Sequence, residues 1–75
     1  MEPSQTLPET LKRLRKSHRY SQDFVASQLG IIRQAYSHYE TGRAIPPVKA
    51  LYKLANLYGV PVESLVMLIV GNINT

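Results

Sequence analysis

The chain has 75 residues, no cysteine, five tyrosines, one phenylalanine and a formal net charge of +4. That is one domain's worth of sequence, and a helical core of this size is marginal without a disulfide, a metal or a partner subunit. The lack of cysteine excludes a disulfide scaffold, a thiolate zinc site and a cysteine nucleophile, and it suits a reducing cytoplasm.

Residues 1–5 are expected to form a loose tail, polar and without the apolar run of a signal peptide. Thr6 and Glu9 have the spacing of a capping box and Pro8 fits a first helical turn, so a first helix is predicted from Leu7 to about Ser17. Leu7, Leu11 and Leu14 mark its buried stripe. Lys12, Arg13, Arg15, Lys16 and Arg19 make this stretch basic. Such a face favours a polyanion, either nucleic acid or an anionic membrane, although a solvated helix surface explains the same charges.

Between Ser21 and Glu40 the residues spell two short helices hinged at Gly30. Ser21 reads as an N-cap, with Asp23 near the positive helix end. Val25, Ala26 and Leu29 fall on one face, and Gly30 stands where a left-handed residue would stop the helix. In the helix that follows, Ala35, Tyr36 and Tyr39 would face inward. Arg33, Gln34, Ser37 and His38 are left pointing outward, and all four are hydrogen-bonding side chains of the kind that read base edges.

The segment Thr41 to Pro47 has the glycine and prolines of an ordered loop. Val48, Leu51, Leu54, Ala55 and Tyr58 then recur with a period near 3.6, and Gly59 supplies a stop. Pro61 permits a last helix from about Val62 to Val70, ended by Gly71, with 71–75 as a tail. Its run Leu65 to Val70 is far short of the roughly 20 residues that cross a bilayer. Leu65, Val66, Met67, Leu68, Ile69 and Val70 are nevertheless apolar on every side, more than a monomer's core needs. The excess points to a two-fold dimer through Leu65, Met67, Leu68, Ile69 and Val70, with Met67 and Ile69 or Val70 crossing the axis. Five short helices and no strand make the fold class all-α.

Ser21-Gln22, Val25-Ala26, Leu29-Gly30, Arg33-Gln34, Tyr39-Glu40, Gly42-Arg43, Pro46, Leu51, Leu54-Ala55, Tyr58-Gly59-Val60 and Leu65, at their joint spacing, resemble the lambda-repressor-like, Cro-type family. This is also called the xenobiotic-response-element family, and the resemblance covers roughly Leu7 to Leu65. It implies a five-helix DNA-binding domain over residues 6–70. The second and third helices would form the helix-turn-helix, with the third lying in the major groove. Dimers of such modules bind half-sites about one helical turn, roughly 34 Å, apart.

Carried over by position, Arg33, Gln34, Ser37 and His38 would face bases. Ser21, Gln22, Thr41 and Arg43 would hold phosphates, Gln22 also bracing the third helix and the backbone at Thr41 and Gly42 joining Arg43. The resemblance further implies a partly buried salt bridge between Arg15 and Glu40. Side-chain chemistry agrees: Arg33 has a planar fork for guanine O6 and N7, and Gln34 can donate to and accept from adenine. The alternative for Arg33 is a phosphate contact alone. Glu40 reads as a structural acceptor rather than a catalytic base, because an unpaired carboxylate on a basic face would repel phosphate. His18 reads as a surface side chain and His38 as a polar DNA contact, with no metal site expected. Tyr36 and Tyr39 read as core rather than as base-stacking platforms.

Relatives commonly place Ser or Thr at the N-cap of the third helix, but Ile32 stands there and cannot cap. They also tend to be polar where Phe24 sits, so this ring needs a neighbour, for which the C-terminal tail is the candidate.

The expected function is that of a sequence-specific, double-stranded DNA-binding transcriptional regulator: a dimeric bacterial or phage repressor, cytoplasmic and at the nucleoid, with no cofactor, membrane partner or small-molecule effector. The alternative is an antitoxin or adaptor whose C-terminal helix binds a toxin or anti-repressor. An enzyme is not expected, since no nucleophile–base pair, Gly-rich phosphate loop or metal cluster appears.

Overall fold

The computed structural model describes residues 6–73, and side chains as far as residue 69. Five helices follow in chain order: α1 Leu7–Ser17, α2 Gln22–Leu29, α3 Arg33–Thr41, α4 Val48–Tyr58 and α5 Val62–Ile73. There is no strand among the described residues. The all-α, five-helix, lambda-repressor-like architecture expected from the sequence is the one observed, while the proposed tail at 1–5 lies outside the described residues.

Local chemistry sets the helix ends. The Thr6 hydroxyl accepts from the Glu9 amide at 3.2 Å and the Glu9 carboxylate accepts from the Thr6 amide at 3.2 Å, a complete capping box. α1 ends at Ser17 as expected, but the turn that closes it was not foreseen. Arg19 takes a left-handed conformation (φ 60°), the Tyr20 amide donates to the Arg15 carbonyl at 3.1 Å and the Arg19 amide to Lys16 at 3.0 Å. This is a Schellman turn with arginine where glycine is usual. The last helix also differs from expectation. α5 continues through Gly71 to Ile73, because glycine ends a helix only when it turns left-handed and otherwise merely weakens it by about 1 kcal/mol.

One core is shared by all five helices. Leu11, Val25, Tyr36, Leu54 and Leu65 are its most deeply buried large side chains, with Leu7, Leu29, Leu51 and Tyr58 around them. Leu14 is only half-buried and packs on the core's edge.

Burial of Leu65 corrects the dimer surface expected from the sequence. At 1% exposure Leu65 belongs to the monomer's own core, and Leu68 and Ile69 are half-buried against it. Residues 65, 68 and 69 share the helix stripe that meets α1 and α4, so the outward side is left to Val66 (40% exposed) and Met67 (64%). The side chain of Val70 lies outside the described residues.

Phe24 has an aromatic neighbour of its own. Tyr20 packs against it at a centroid distance of 4.6 Å, and the C-terminal tail that was the expected neighbour lies outside the residues whose side chains are described. Tyr20 in turn belongs to a row in which His18 lies 5.4 Å from Tyr20 and 5.3 Å from Tyr58. The proximity follows from sequence: Tyr20 immediately precedes the Ser21 cap, one turn before Phe24.

Candidate nucleic-acid interface

The α2–α3 unit is built from its turn outward. The Ser21 hydroxyl accepts from the Phe24 amide at 3.0 Å and starts α2, which ends at Gly30 in a left-handed conformation (φ 74°) that a Cβ would strain. The Ile31 amide returns to the Ala26 carbonyl at 3.0 Å, and only Ile32 separates this turn from α3. Ile32 is 70% exposed and makes no capping hydrogen bond, so the first turn of α3 lacks a side-chain acceptor. A positive helix end facing solvent favours an anion there.

The inner face of α3 is locked by a buried polar cluster around Glu40. Arg15 Nε and Nη2 donate to the two Glu40 carboxylate oxygens at 2.6 and 3.2 Å, a bidentate pair that ties α1 to the end of α3. Arg15 Nη1 also donates to the Tyr20 carbonyl at 3.0 Å, so the same guanidinium holds the α1–α2 link. The Tyr36 hydroxyl donates to Glu40 at 2.5 Å and lies 3.4 Å from the Tyr58 hydroxyl. Gln22 Nε2 supplies a further donor to Glu40 at 3.1 Å. Burial pushes the Glu40 carboxyl up, but the hydrogen bonds from Arg15, Tyr36 and Gln22 together outweigh it and hold the group below the usual carboxylate range. Burial first, then the bond to Glu40, drives the Tyr36 hydroxyl far above its ordinary value, so it stays a donor at any working pH.

The outer face carries the four side chains singled out in the sequence. Arg33 and Gln34 are exposed and Ser37 and His38 half-buried; positions 33, 34, 37 and 38 form one stripe at helical spacing. Arg33 Nε donates to Gln22 Oε1 in a long, exposed contact of 3.4 Å.

The groups expected to hold phosphate lie at the two ends of the pair. Ser21 and Gln22 open α2. Thr41 closes α3, with Gly42 in a left-handed conformation (φ 83°) and Arg43 exposed in the following loop. Thr41 donates its hydroxyl hydrogen to the His38 carbonyl at 3.3 Å, which also receives the Ala44 amide at 3.3 Å, so this corner is held by its own backbone. Any anion contact at Thr41 therefore falls to the main chain.

Two contributors were missed in the sequence, the Tyr36 hydroxyl and the Tyr58 hydroxyl. Tyr36 was legible, because its spacing of four from Glu40 places the two on one helix face. Tyr58 has no local signal. Among the described residues, no group of three or more His, Cys, Asp or Glu side chains could hold a metal ion, and no helix is long and apolar enough to cross a membrane.

Comparison with known proteins bears on this geometry. A family model described as helix-turn-helix matches residues 11–65. A prophage-derived, uncharacterized HTH-type transcriptional regulator of Bacillus subtilis, YonR, is 49% identical over 57 residues, 76% of this chain and 53% of the relative. A second from the same organism, YqaE, is 39% identical over 57 residues, covering 76% and 49%. The cryptic phage CTXphi transcriptional repressor RstR of Vibrio cholerae is 36% identical over 56 residues, covering 75% and 50%. The chain thus spans about half the length of the curated relatives it matches. No solved structure gives a significant match.

Proposed function

The chain belongs to the helix-turn-helix family, of the Cro type that its sequence resembles, and on that premise we propose that it is a sequence-specific regulator of transcription that reads duplex DNA with α3 in the major groove. The observation that carries this is the division of α3. One face is anchored through Glu40 to α1 and α2, and the other presents Arg33, Gln34, Ser37 and His38 as a polar stripe. A rigid helix with unspent donors and acceptors is what base-edge readout requires.

In this reading, Ser21 and Gln22 at one end of the unit and Arg43 with the Thr41–Gly42 backbone at the other hold phosphates and fix register. The basic residues of α1 add long-range attraction, so affinity falls steeply with salt while sequence preference persists. Two copies pair through α5, using Val66 and Met67 in place of the buried Leu65, and occupy half-sites about one turn apart. Repression at a bacterial or phage promoter, in the cytoplasm and at the nucleoid, is the simplest outcome of such occupancy. It needs no cofactor, no small-molecule effector and no catalytic group.

Selection of bound duplexes from a random pool tests this directly. A pseudo-palindromic enriched site is expected; a pool without enrichment would overturn it. Enrichment of nothing would favour an adaptor or antitoxin, for which the same exposed Val66 and Met67 would serve as the docking surface for a toxin or anti-repressor. Sedimentation at micromolar concentration is expected to give a dimer that Met67→Glu dissociates, and a wild-type monomer would remove the dimer from the account.

A further inference from the structure

Ile31 and Ile32 lie side by side in the turn between α2 and α3 and have opposite fates. Ile31 is half-buried and packs on the core, whereas Ile32 is 70% exposed, the most exposed large apolar side chain among the described residues. The backbone of Ile32 has the extended conformation of an N-cap (φ −78°, ψ 157°), so a serine there would satisfy an amide of the first turn, and isoleucine leaves it without a side-chain acceptor. The position thus forgoes a hydrogen bond and holds apolar surface in water, and core packing offsets neither cost. Its place in the chain suggests what does. Ile32 immediately precedes Arg33 and Gln34 at the N-terminal end of α3, and the N-terminal residues of a recognition helix are those that meet base edges. Isoleucine has no donor or acceptor with which to read an edge. The apolar group that a base pair offers in the major groove is the C5-methyl of thymine.

We propose that Ile32 is a specificity-determining residue that packs on the C5-methyl group of a thymine in the bound site. The proposal rests on the reading of α3 as the base-reading helix. The contact takes apolar surface out of water on both partners and involves no hydrogen bond, so it responds to the methyl group itself and not to the pairing of the base. It also gives the missing cap a reason, since isoleucine exchanges a capping oxygen for apolar area at the end of α3 that enters the groove.

The test uses the full chain and its best duplex from the random pool, with each thymine replaced in turn by deoxyuridine. This exchange deletes the methyl and leaves base pairing and every donor and acceptor of the edge in place. Competition binding is expected to show a thymine position at which the exchange weakens the wild-type chain about fourfold, the worth of one buried methyl. Ile32→Ser supplies the cap, so it should fold at least as firmly as the parent. It is expected to bind thymine and uracil duplexes equally at that position, with the response at other positions unchanged. Ile32→Val keeps a branched apolar side chain and should retain most of the distinction. Uniform weakening of Ile32→Ser on every duplex, with the uracil response intact, would mean that the uncapped amides hold a phosphate, and would overturn the proposal. A wild-type chain indifferent to every thymine methyl would overturn it as well. A wild-type chain with no preferred duplex would instead overturn the reading of α3, so the two failures are distinguishable.

Discussion

The two faces of α3 differ in what has become of their polar groups. On the inner face, Tyr36 and Glu40 are buried and their hydroxyl and carboxylate are bonded to each other, to Arg15 and to Gln22. On the outer face, Arg33 and Gln34 remain exposed, and Arg33 makes one long contact. The 3.6-residue period thus sorts a nine-residue helix into a part that holds the fold and a part whose polar groups stay open to solvent. Gln22 is where the two meet. Substitutions on one face should therefore move stability, and on the other, recognition.

The most forceful way to break this division is Glu40→Ala, which leaves Arg15, Tyr36 and Gln22 without their shared acceptor. A loss of about 3 kcal/mol is expected, the lower end for removing one partner of a buried pair, since Arg15 keeps some contact with water. Urea unfolding measures it, and the change in stability should exceed the change in sequence preference. Unaltered melting with lost specificity would reverse the assignment. The same carboxylate sets an acid limit. Its folded pKa lies below the ordinary value of 4.5, so the unfolded chain binds the proton first. The Glu40 contribution is complete above that value and disappears as pH falls through the folded pKa. Glu40→Gln should flatten this part of a pH–melting curve.

Arg33→Ala is the converse substitution. Stability is expected to stay within about 0.5 kcal/mol of the parent, as for other surface changes. Discrimination at one base pair should fall by about 2 kcal/mol, read by competition binding. Tyr36→Phe returns to the inner face and removes a hydrogen bond to a charged group, for a cost of about 1.5 kcal/mol in thermal unfolding with duplex preference retained. The smallest effect sharpens the boundary itself. Ile32 already has the extended backbone of an N-cap (φ −78°, ψ 157°) and is exposed, so Ile32→Ser should gain about 1 kcal/mol by supplying the missing acceptor.

The helices were legible where stripe and boundary signals coincided: Ser21 and Gly30 bracket α2, and Thr6 with Glu9 starts α1. The Arg15–Glu40 pair spans 25 residues, and no local pattern encodes it. It was anticipated only through family resemblance. Leu65 was misplaced because a run apolar on all sides offers no contrast between its faces, and only packing against α1 and α4 selects one. Arg19 was hidden for a related reason: glycine advertises a left-handed turn and arginine does not. The placement of Phe24 against Tyr20 depended on the angle between α1 and α2, which that turn sets.

A backbone amide shift map of the chain titrated with its selected duplex tests the division of α3 most directly. The account predicts the largest changes at Ser21, Gln22, Arg33 to His38 and Gly42–Arg43, with α5 little affected. Changes centred on Val66 and Met67, with the amides of α3 unmoved, would contradict it.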